Sequence, residues 1–220
     1  MSAKILHGCW FGGELTPLAR RCLASWRHFA PDYEIRLHHE IPDCAFARAA
    51  AAKRKWAMVS DCARMQALYD EGGIYFDLDV ELLRPLELTG EWVAGERTAT
   101  GREWMNPGSG LALERHSPIA KHMLEAYAAL EFDPHREMME WINARLAECA
   151  GGLKVLPSEV FSPIGVDGRL RRTAATIGIH HYAMSWASPK QRLLRFLSHH
   201  GMRPLVDRAL RLRDAWGLGS

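Results

Sequence analysis

One eight-residue segment, Gly72–Asp79, constrains the fold of this chain more than any other part of the sequence. Its two glycines end a run of strong helical character over residues 56–71, because glycine supplies the left-handed turn that helix ends favour. Residues 74–76 (Ile-Tyr-Phe) predict an apolar strand, which runs directly into Asp77 and Asp79. A helix, a sharp stop and a strand that ends in two carboxylates indicate an α/β element with a polar site at its end.

The N-terminal part of the chain predicts a strand, a helix and a second strand. Lys4–His7 is a short apolar run, and the glycine-containing loop Trp10–Gly13 follows it. Thr16 and Pro17 are typical of the N-cap and the first position of a helix, and Tyr33–Leu37 alternates like a strand. This order of elements predicts an α/β fold.

The rest of the chain continues the mixture of strands and helices. Strands are predicted at Trp92–Ala94, Leu111–Leu113 and Gly178–Tyr182, and helices are predicted after Ser117 and after Asp133. We therefore predict one α/β domain over residues 1–187 and a helical tail over residues 188–220.

The composition is that of an ordinary globular protein. Of 220 residues, 48% are hydrophobic and 25% are charged, which excludes a disordered or collagen-like chain and allows one well-packed domain. No apolar run reaches the length of a membrane span, and residues 1–11 lack the features of a secretory signal, so we expect a cytoplasmic protein. The formal net charge of +2 is too small to favour a nucleic acid as partner.

The cysteines predict free thiols in a reducing compartment. There are five, an odd number, and the sequence contains no C-x-x-C pair. This pattern fits neither a zinc finger nor a disulfide framework. The five are Cys9, Cys22, Cys44, Cys62 and Cys149.

The predicted tail over residues 188–220 is basic and amphipathic. Seven basic residues from Lys190 onward stand against only Asp207 and Asp214, and leucines are interleaved with the arginines. Two helices that cap the domain are the first interpretation. The second is a surface that contacts anionic lipid, which would place the protein at the inner face of the membrane.

Asp77 and Asp79 indicate either a solvated turn or a metal site, and the helix end and the strand before them favour the metal site. In an extended segment, residues i and i+2 project to the same side, and two carboxylates placed there repel each other unless a cation lies between them. Oxygen ligands suit Mg²⁺ or Mn²⁺, and such an ion commonly also holds a substrate phosphate. A later run, His180-His181-Tyr182, offers an imidazole as a third ligand.

Asp61 and Arg64 lie on the helix before this strand, three residues apart, so they share one face of the helix. One interpretation is a surface ion pair worth less than about 1 kcal/mol. The other is a carboxylate and a guanidinium directed at sugar hydroxyls near the same strand end.

Four motifs, in the same order along the chain, resemble one enzyme family. They are Ile5–Gly13, Lys55–Arg64, Gly72–Asp79 and His180–Trp186. Over residues 4–187 the sequence resembles the DXD-type glycosyltransferases (glycosyltransferase family 32) of bacterial capsule and surface-polysaccharide synthesis. These are related to yeast mannosyltransferases and to the glucosyltransferase domains of large clostridial toxins. The resemblance implies a GT-A fold, with a Rossmann-like mixed sheet flanked by helices, a nucleotide-sugar donor and a divalent metal, Mn²⁺ or Mg²⁺.

The resemblance also implies roles for individual residues. Asp77 would face the donor ribose and the metal, and Asp79 would bind the metal directly. Asp61 and Arg64 would hold the hydroxyls of the donor sugar. Trp10 would stack on the nucleobase, because an aromatic face suits any base.

Further roles fall later in the domain. His181 matches the third ligand position better than His180, because in the related His-Tyr pattern the ligand directly precedes the aromatic residue. Ser185 and Trp186 would lie on a mobile loop that closes over the diphosphate and excludes water. Asn106, in a polar glycine loop, is expected to shape the pocket for the donor sugar and the acceptor.

The implied reaction is a hexosyl transfer with retention of anomeric configuration. UDP is the preferred nucleotide and GDP the other choice, and the acceptor would be a hydroxyl of a polysaccharide, an oligosaccharide or a lipid-linked glycan. The metal would neutralise the charge that develops on the departing phosphate. Because the sequence shows no obvious nucleophile for a double displacement, front-face attack is favoured.

Two other interpretations stay open. Phe76–Val80 is similar to the nucleophile strand of haloacid dehalogenase-type phosphatases, in which Asp77 would attack phosphorus. The later Asp-Asp or Glu-Asp pair that such enzymes need does not occur after Asp79. The other interpretation is a non-catalytic sugar-nucleotide-binding protein that has the same fold.

Overall fold

The computed structural model describes residues 3–97, 101–149, 151–163 and 169–183 of the chain. Its strands are β1 (Ile5–Cys9), β2 (Glu34–His38), β3 (Gly73–Tyr75), β4 (Val80–Leu82), β5 (Trp92–Arg97), β6 (Glu103–Met105), β7 (Leu111–Leu113), β8 (Lys154–Leu156) and β9 (Gly178–His180). Its helices are α1 (Pro17–Phe29), α2 (Ala45–Ala52), α3 (Trp56–Glu71), α4 (Pro118–Ala128) and α5 (Met138–Cys149).

A mixed sheet of seven strands forms the centre of the described structure. The strands follow the order β2-β1-β3-β7-β5-β6, and β8 also pairs with β5. β1 is parallel to β2 and β3, whereas β7 is antiparallel to β3 and to β5. A second sheet of two strands pairs β4 with β9 in antiparallel fashion. The predicted α/β fold with a mixed sheet flanked by helices is confirmed.

Each face of the large sheet is covered by its own apolar cluster. Tyr75 and Leu111 pack with the buried residues of α2, α3, α4 and α5. Their strand neighbours Ile74 and Ala112 belong to the second cluster, together with the buried residues of α1. Successive side chains of a strand point to opposite faces, so this alternation places α1 on one face and the other helices on the other.

Helix α1 forms where the sequence predicts it and holds β4 in place. The Thr16 hydroxyl accepts a hydrogen bond from the Ala19 amide at 3.2 Å, which caps the helix, and Pro17 is its first residue. Trp26 is fully buried, and its indole N–H donates to the Val80 carbonyl at 2.7 Å. Because Val80 directly follows Asp79, α1 anchors the segment that carries the two carboxylates.

Gly72 ends α3, as predicted. Its φ of +67° lies in the left-handed region, which favours glycine. A Cβ at this position would also lie 2.6 Å from the Arg115 amide nitrogen. Both the backbone conformation and the packing therefore require glycine here.

Several boundaries differ from the sequence predictions. The helix predicted after Asp133 begins only at Met138. β9 ends at His180, because Tyr182 has a φ of +49° and cannot continue a strand. α2 and the three-residue strands β4, β6 and β8 were not predicted, since segments this short show too little periodicity.

The predicted tail over residues 188–220 lies outside the described residues, so the division of the chain into a domain and a tail remains a prediction. Within the described part, the structure has no helix that is both long and apolar enough to cross a bilayer.

His7 is a fully buried histidine at the centre of the sheet. Its Nε2 lies 2.8 Å from the Gly72 carbonyl oxygen, which can only accept, so Nε2 carries the proton. Its Nδ1 lies 2.9 Å from Nε2 of His38 and therefore accepts from it. Burial lowers the pKa of His7 to about 4, and the neighbouring His38 adds to the effect. The folded protein thus keeps His7 neutral.

We predict that His7 makes the fold sensitive to mild acid. The unfolded chain binds a proton at His7 below pH 6.5, whereas the folded chain does so only near pH 4. The stability from His7 is therefore present above pH 6.5 and lost as the pH falls toward 4, by about 3 kcal/mol. Urea unfolding at pH 7 and pH 4.5 measures this, and His7→Gln should reduce the difference between the two pH values. His28→Gln, at an exposed position, is the control; equal pH dependence in wild type and His7→Gln would contradict the prediction.

Candidate functional site

The candidate site lies where the parallel strands β1 and β3 end. The two strands are in register, with Leu6 opposite Ile74 and His7 opposite Tyr75, so their carboxyl ends meet at one edge of the sheet. Trp10 follows β1 and Asp77 follows β3 at this edge. Ligand sites of open α/β sheets form at such an edge, beyond the carboxyl ends of the strands.

The two aspartates are brought together by a turn, which differs from the extended segment expected from the sequence. The Val80 amide donates to the Asp77 carbonyl at 2.9 Å, and this hydrogen bond closes the turn over residues 77–80. The Asp77 amide donates to the Gly108 carbonyl at 2.9 Å, which ties the turn to the loop before β7. The side chains still converge, but the turn is the reason, not the alternation of a strand.

His180 completes a three-residue cluster with the aspartates. β9 pairs with β4 so that His180 lies opposite Val80, and this register carries the imidazole to the turn. His180 Nε2 lies 3.1 Å from Asp79 Oδ1. Asp77, Asp79 and His180 each offer one ligand atom, and these three atoms lie within 4.8 Å of one another.

The structure replaces His181 by His180 as the candidate third ligand. The ring of His181 lies beside Glu81, with Nε2 to Oε2 at 2.7 Å, and Arg21 approaches the same carboxylate at 3.3 Å. Neighbouring residues at a strand end project in opposite directions, so one histidine faces the aspartates and the other faces away. The sequence pattern could not show which one does.

Asp79 is ionised and firmly held. Burial would raise the pKa of this carboxyl, but the attraction and hydrogen bond of His180 outweigh it and lower the pKa to about 2. The Ala183 amide contributes by donating to Asp79 Oδ2 at 2.7 Å. In turn, the burial of His180 would lower its pKa, but Asp79 outweighs burial and raises it.

The protons of His180 decide how this cluster fits a metal. When Nε2 carries a proton, it donates to Asp79; without that proton, its lone pair faces a carboxylate, which is repulsive unless a cation lies between them. Two carboxylates and one imidazole are suitable ligands for a divalent cation. The residues present therefore fit a metal ion.

The Ser109 hydroxyl contacts the ring nitrogen of His180 that does not face Asp79. The Ser109 Oγ lies 2.7 Å from His180 Nδ1, and both side chains are buried. Ser162 Oγ lies 3.3 Å from Ser109 Oγ, and the Tyr182 hydroxyl donates to Ser162 at 2.8 Å. Because a hydroxyl can donate or accept, Ser109 can hold the imidazole in either state of protonation.

The Arg64 guanidinium contacts two of the carboxylates predicted for the site, those of Asp61 and Asp77. Its Nη2 lies 3.0 Å from Asp61 Oδ1 and 3.3 Å from Asp77 Oδ1, and its side chain is 6% exposed. The Tyr75 hydroxyl donates to the same Asp77 oxygen at 2.8 Å. The guanidinium also lies 4.8 Å from the centre of the Tyr75 ring, where a cation is attracted to the aromatic face. Asp61 and Arg64 are therefore not a surface ion pair but part of the buried wall of the site.

Burial and charge act in opposite directions on this pair. Burial raises the pKa of Asp61 to about 6, although Arg64 opposes the shift. Burial would lower the pKa of Arg64, but the carboxylates of Asp77 and Asp61 outweigh it and raise it. The guanidinium is thus permanently charged, whereas burial favours the protonated form of the Asp61 carboxyl.

Asn106 shapes the loop that faces Asp77. Its Oδ1 accepts from the amides of Gly108 at 2.9 Å and Ser109 at 3.2 Å, and its Nδ2 donates to Glu96. A Cβ at Gly108 would collide with the Asp77 carboxylate, so a larger residue here would displace that side chain. Asn106 therefore orders the wall of the site.

Trp10 is held at the same edge of the sheet. Its indole N–H donates to the Gly13 carbonyl at 2.9 Å, and its backbone amide donates to the His38 carbonyl at 3.0 Å. The side chain is partly exposed, which leaves it accessible. The last two predicted site residues, Ser185 and Trp186, lie outside the described residues.

The sequence analysis missed three residues that the structure brings to the site, namely Tyr75, Ser109 and Glu96. The sequence could have indicated Tyr75, because it lies two residues before Asp77 at the end of a strand. Ser109 and Glu96 had none, since a serine in a glycine loop and a glutamate near a strand end are common. Only the tertiary contacts distinguish them.

A family model and solved structures are similar to this chain. Residues 17–99 match the family described as "Glycosyltransferase sugar-binding region containing DXD motif". The matched segment contains Asp61, Arg64, Asp77 and Asp79. No curated protein matches the sequence.

Two solved structures share the fold. One is "PaToxG Glycosyltransferase", with a TM-score of 0.54, 18% sequence identity, and coverage of 68% of this chain and 71% of that one. The other is a "glycosyltransferase involved in the glycosylation of the major capsid of PBCV-1", with a TM-score of 0.50, 13% identity, and coverage of 90% and 98%. The fold is thus that of GT-A glycosyltransferases, as expected, and these findings do not support the phosphatase interpretation.

We predict that Arg64 is essential to the stability of this site. Arg64→Met leaves Asp61 and Asp77 without their shared cation, and breaking a buried ion pair on one side costs about 3–5 kcal/mol. Urea unfolding at pH 7 measures the loss. Arg20→Met, which removes an exposed pair with Glu14, should cost less than about 1 kcal/mol. Equal effects of the two substitutions would show that Arg64 is not a buried counter-ion.

Proposed function

We propose that this chain, a glycosyltransferase whose residues 17–99 match a DXD-containing sugar-binding region, transfers a hexosyl group from a nucleotide-sugar donor to a hydroxyl of a glycan acceptor. We further propose that the transfer depends on a divalent metal. The observation that carries this proposal is the convergence of Asp77, Asp79 and His180 at the edge of the sheet.

The proposed metal ligands are Asp79, Asp77 and His180. When bound there, a divalent cation would neutralise the negative charge that develops on the diphosphate leaving group. The two carboxylates suit Mg²⁺ and Mn²⁺ equally, whereas an imidazole nitrogen favours a transition metal over Mg²⁺. We therefore propose Mn²⁺ as the preferred ion and Mg²⁺ as the alternative.

We propose that Asp61 and Arg64 bind the donor sugar. Their charged groups are held rigid at the wall of the site by burial and by the contact between Arg64 and Asp77. A carboxylate and a guanidinium accept from and donate to sugar hydroxyls respectively. Because both side chains are already ordered before the donor binds, less conformational entropy is lost on binding.

We propose that Trp10 stacks on the nucleobase, and that Asn106 maintains the loop that borders the sugar. The position of Trp10 after β1 and its partly exposed ring support this role. The proposed closing loop with Ser185 and Trp186 rests on the family resemblance, and it would exclude the water that competes with the acceptor.

The finer features of the reaction rest on the same resemblance. We propose UDP before GDP as the nucleotide, and retention of anomeric configuration by front-face attack. We propose a polysaccharide, an oligosaccharide or a lipid-linked glycan of the bacterial cell surface as acceptor. Contact of the basic tail with the inner face of the membrane would suit a lipid-linked acceptor.

The proposal predicts metal-dependent binding and turnover of one donor. UDP- and GDP-sugars are tested one at a time with Mn²⁺, and the expected result is a rise in melting temperature with one donor that EDTA abolishes. Slow hydrolysis of the same donor should also require Mn²⁺. Asp79→Asn should lower this hydrolysis by more than about 100-fold, because loss of a direct ligand exceeds the effect of losing its supporting groups.

Asp70→Asn is the matched control for Asp79→Asn, because Asp70 is exposed on α3 and is not part of the cluster of Asp77, Asp79 and His180. It should retain full hydrolysis. If no nucleotide-sugar raises the melting temperature with any divalent ion, the proposed function is wrong. Binding without any hydrolysis would instead favour a sugar-nucleotide-binding protein.

Ser109 offers a second test, which reports on metal binding alone. Ser109→Ala leaves the buried Nδ1 of His180 without its partner, and loss of such a supporting group weakens metal binding by about 10–100-fold. The measurement is a titration of the apo-protein with Mn²⁺, in which free Mn²⁺ is followed by electron paramagnetic resonance.

Ser117→Ala is the control for the Ser109 variant. Ser117 is also buried, but its hydroxyl has no hydrogen-bond partner among the described residues. It should bind Mn²⁺ like the wild type. Unchanged Mn²⁺ affinity in Ser109→Ala would show that His180 is not a ligand or is oriented by other contacts.

A further inference from the structure

Two of the five cysteines are in direct contact, and the proposed function uses neither of them. Cys44 Sγ lies 3.3 Å from Cys62 Sγ, although the residues are 18 positions apart in the sequence. Within the part of the chain that the structure describes, this is the one contact between two thiols. Cys44 precedes α2 and Cys62 lies on α3, so the contact joins two separate helices.

The two thiols differ in their surroundings. Cys44 is partly exposed, and its Sγ accepts a hydrogen bond from the Ala47 amide at 3.3 Å at the start of α2. Cys62 is 1% exposed, and burial followed by the charge of Cys44 raises the pKa of its thiol. Cys44 is thus the sulfur that an oxidant can reach, and Cys62 is its buried neighbour.

A cavity gives small molecules access to the pair. It has a volume of about 280 Å³, and both sulfur-bearing residues line it together with Pro42, Gln66 and Leu124. The cavity is large enough for several waters or for a small hydroperoxide. An oxidant can therefore reach Cys44 without unfolding of the chain.

We propose that Cys44 and Cys62 form a reversible disulfide when the protein meets a hydroperoxide. A disulfide is a covalent modification that joins α2 to α3, the helix that carries Asp61 and Arg64. The proposal does not depend on the proposed function, because it rests on the contact of the thiols and the cavity beside them.

The chemistry balances with hydrogen peroxide as the oxidant. The Cys44 thiolate attacks one peroxide oxygen, the O–O bond breaks, and the departing hydroxide takes a proton to become water, leaving a sulfenic acid. The Cys62 sulfur then attacks the Cys44 sulfur, the S–O bond breaks, and hydroxide leaves with the Cys62 proton as a second water. Two thiols lose two electrons and two protons, and one peroxide is reduced to two waters.

Peptide mapping of the full-length protein tests the proposal. The reduced protein is treated with hydrogen peroxide, free thiols are blocked with N-ethylmaleimide, and tryptic peptides are analysed by mass spectrometry without reduction. The expected product is a cross-link between peptides 37–48 and 56–64 that dithiothreitol removes. Sulfinic acid at Cys44 without a cross-link, or a cross-link to Cys9, Cys22 or Cys149, would overturn the proposal.

Three variants separate the pair from the other thiols. Cys44→Ser and Cys62→Ala should each reduce the yield of the cross-link by at least about 10-fold, because a disulfide needs both sulfurs. Cys149→Ser should leave the yield unchanged, since Cys149 lies at the end of α5. Cys44 is partly exposed, so its variant tests the proposal even if Cys62→Ala fails to fold. The proposal is supported if Cys149→Ser forms the cross-link between peptides 37–48 and 56–64 at wild-type yield and Cys44→Ser does not form it.

Discussion

Repulsion between Asp77 and Asp79 is the constraint around which this part of the molecule is arranged. Both carboxylates follow one short buried strand, and a turn brings them together instead of letting them diverge. Each has its own cationic or hydrogen-bonding neighbour: Arg64 and Tyr75 at Asp77, His180 and the Ala183 amide at Asp79. These contacts hold the acidic pair in place, with one ligand atom each of Asp77, Asp79 and His180 within 4.8 Å of one another.

The balance of charge also explains why the cationic neighbour of Asp77 is an arginine and that of Asp79 is a histidine. A guanidinium keeps its charge at all accessible pH values, so Arg64 holds Asp61 and Asp77 permanently. An imidazole can lose its proton and become a metal ligand, so His180 can exchange a proton for a cation. A permanent positive charge therefore lies at the sugar side of the proposed site, and an exchangeable one lies at the proposed metal side.

The helices α2 and α3 link the proposed donor site to the thiol pair. α3 carries Asp61 and Arg64 on its buried face, and Cys62 is adjacent to Asp61 in the sequence. α2 packs against α3 in the cluster that covers one face of the sheet. A covalent bond between Cys44 and Cys62 would thus restrain the helix that positions two of the proposed sugar-binding residues.

Local patterns in the sequence were enough to predict the start of helix α1, the end of α3 and the two aspartates of the site. The cap at Thr16 and Pro17, the glycine stop after α3, and the two aspartates after β3 depend on neighbours in the chain, so local chemistry was enough to predict them. The spacing of Asp61 and Arg64 on one helix face indicated them as partners of the same site, and the family resemblance implied their role. Only the tertiary structure decided that these two residues are buried and that Arg64 contacts Asp77.

The tertiary structure also decided between the two adjacent histidines and identified Ser109 and Cys44 as partners of distant residues. The register of β9 against β4 turns His180 toward Asp79 and His181 toward Glu81, although the two positions are 100 and more residues from the turn. The physical reason is that strand pairing and helix packing set which side chains meet, and a sequence pattern reports only the spacing of residues along one element.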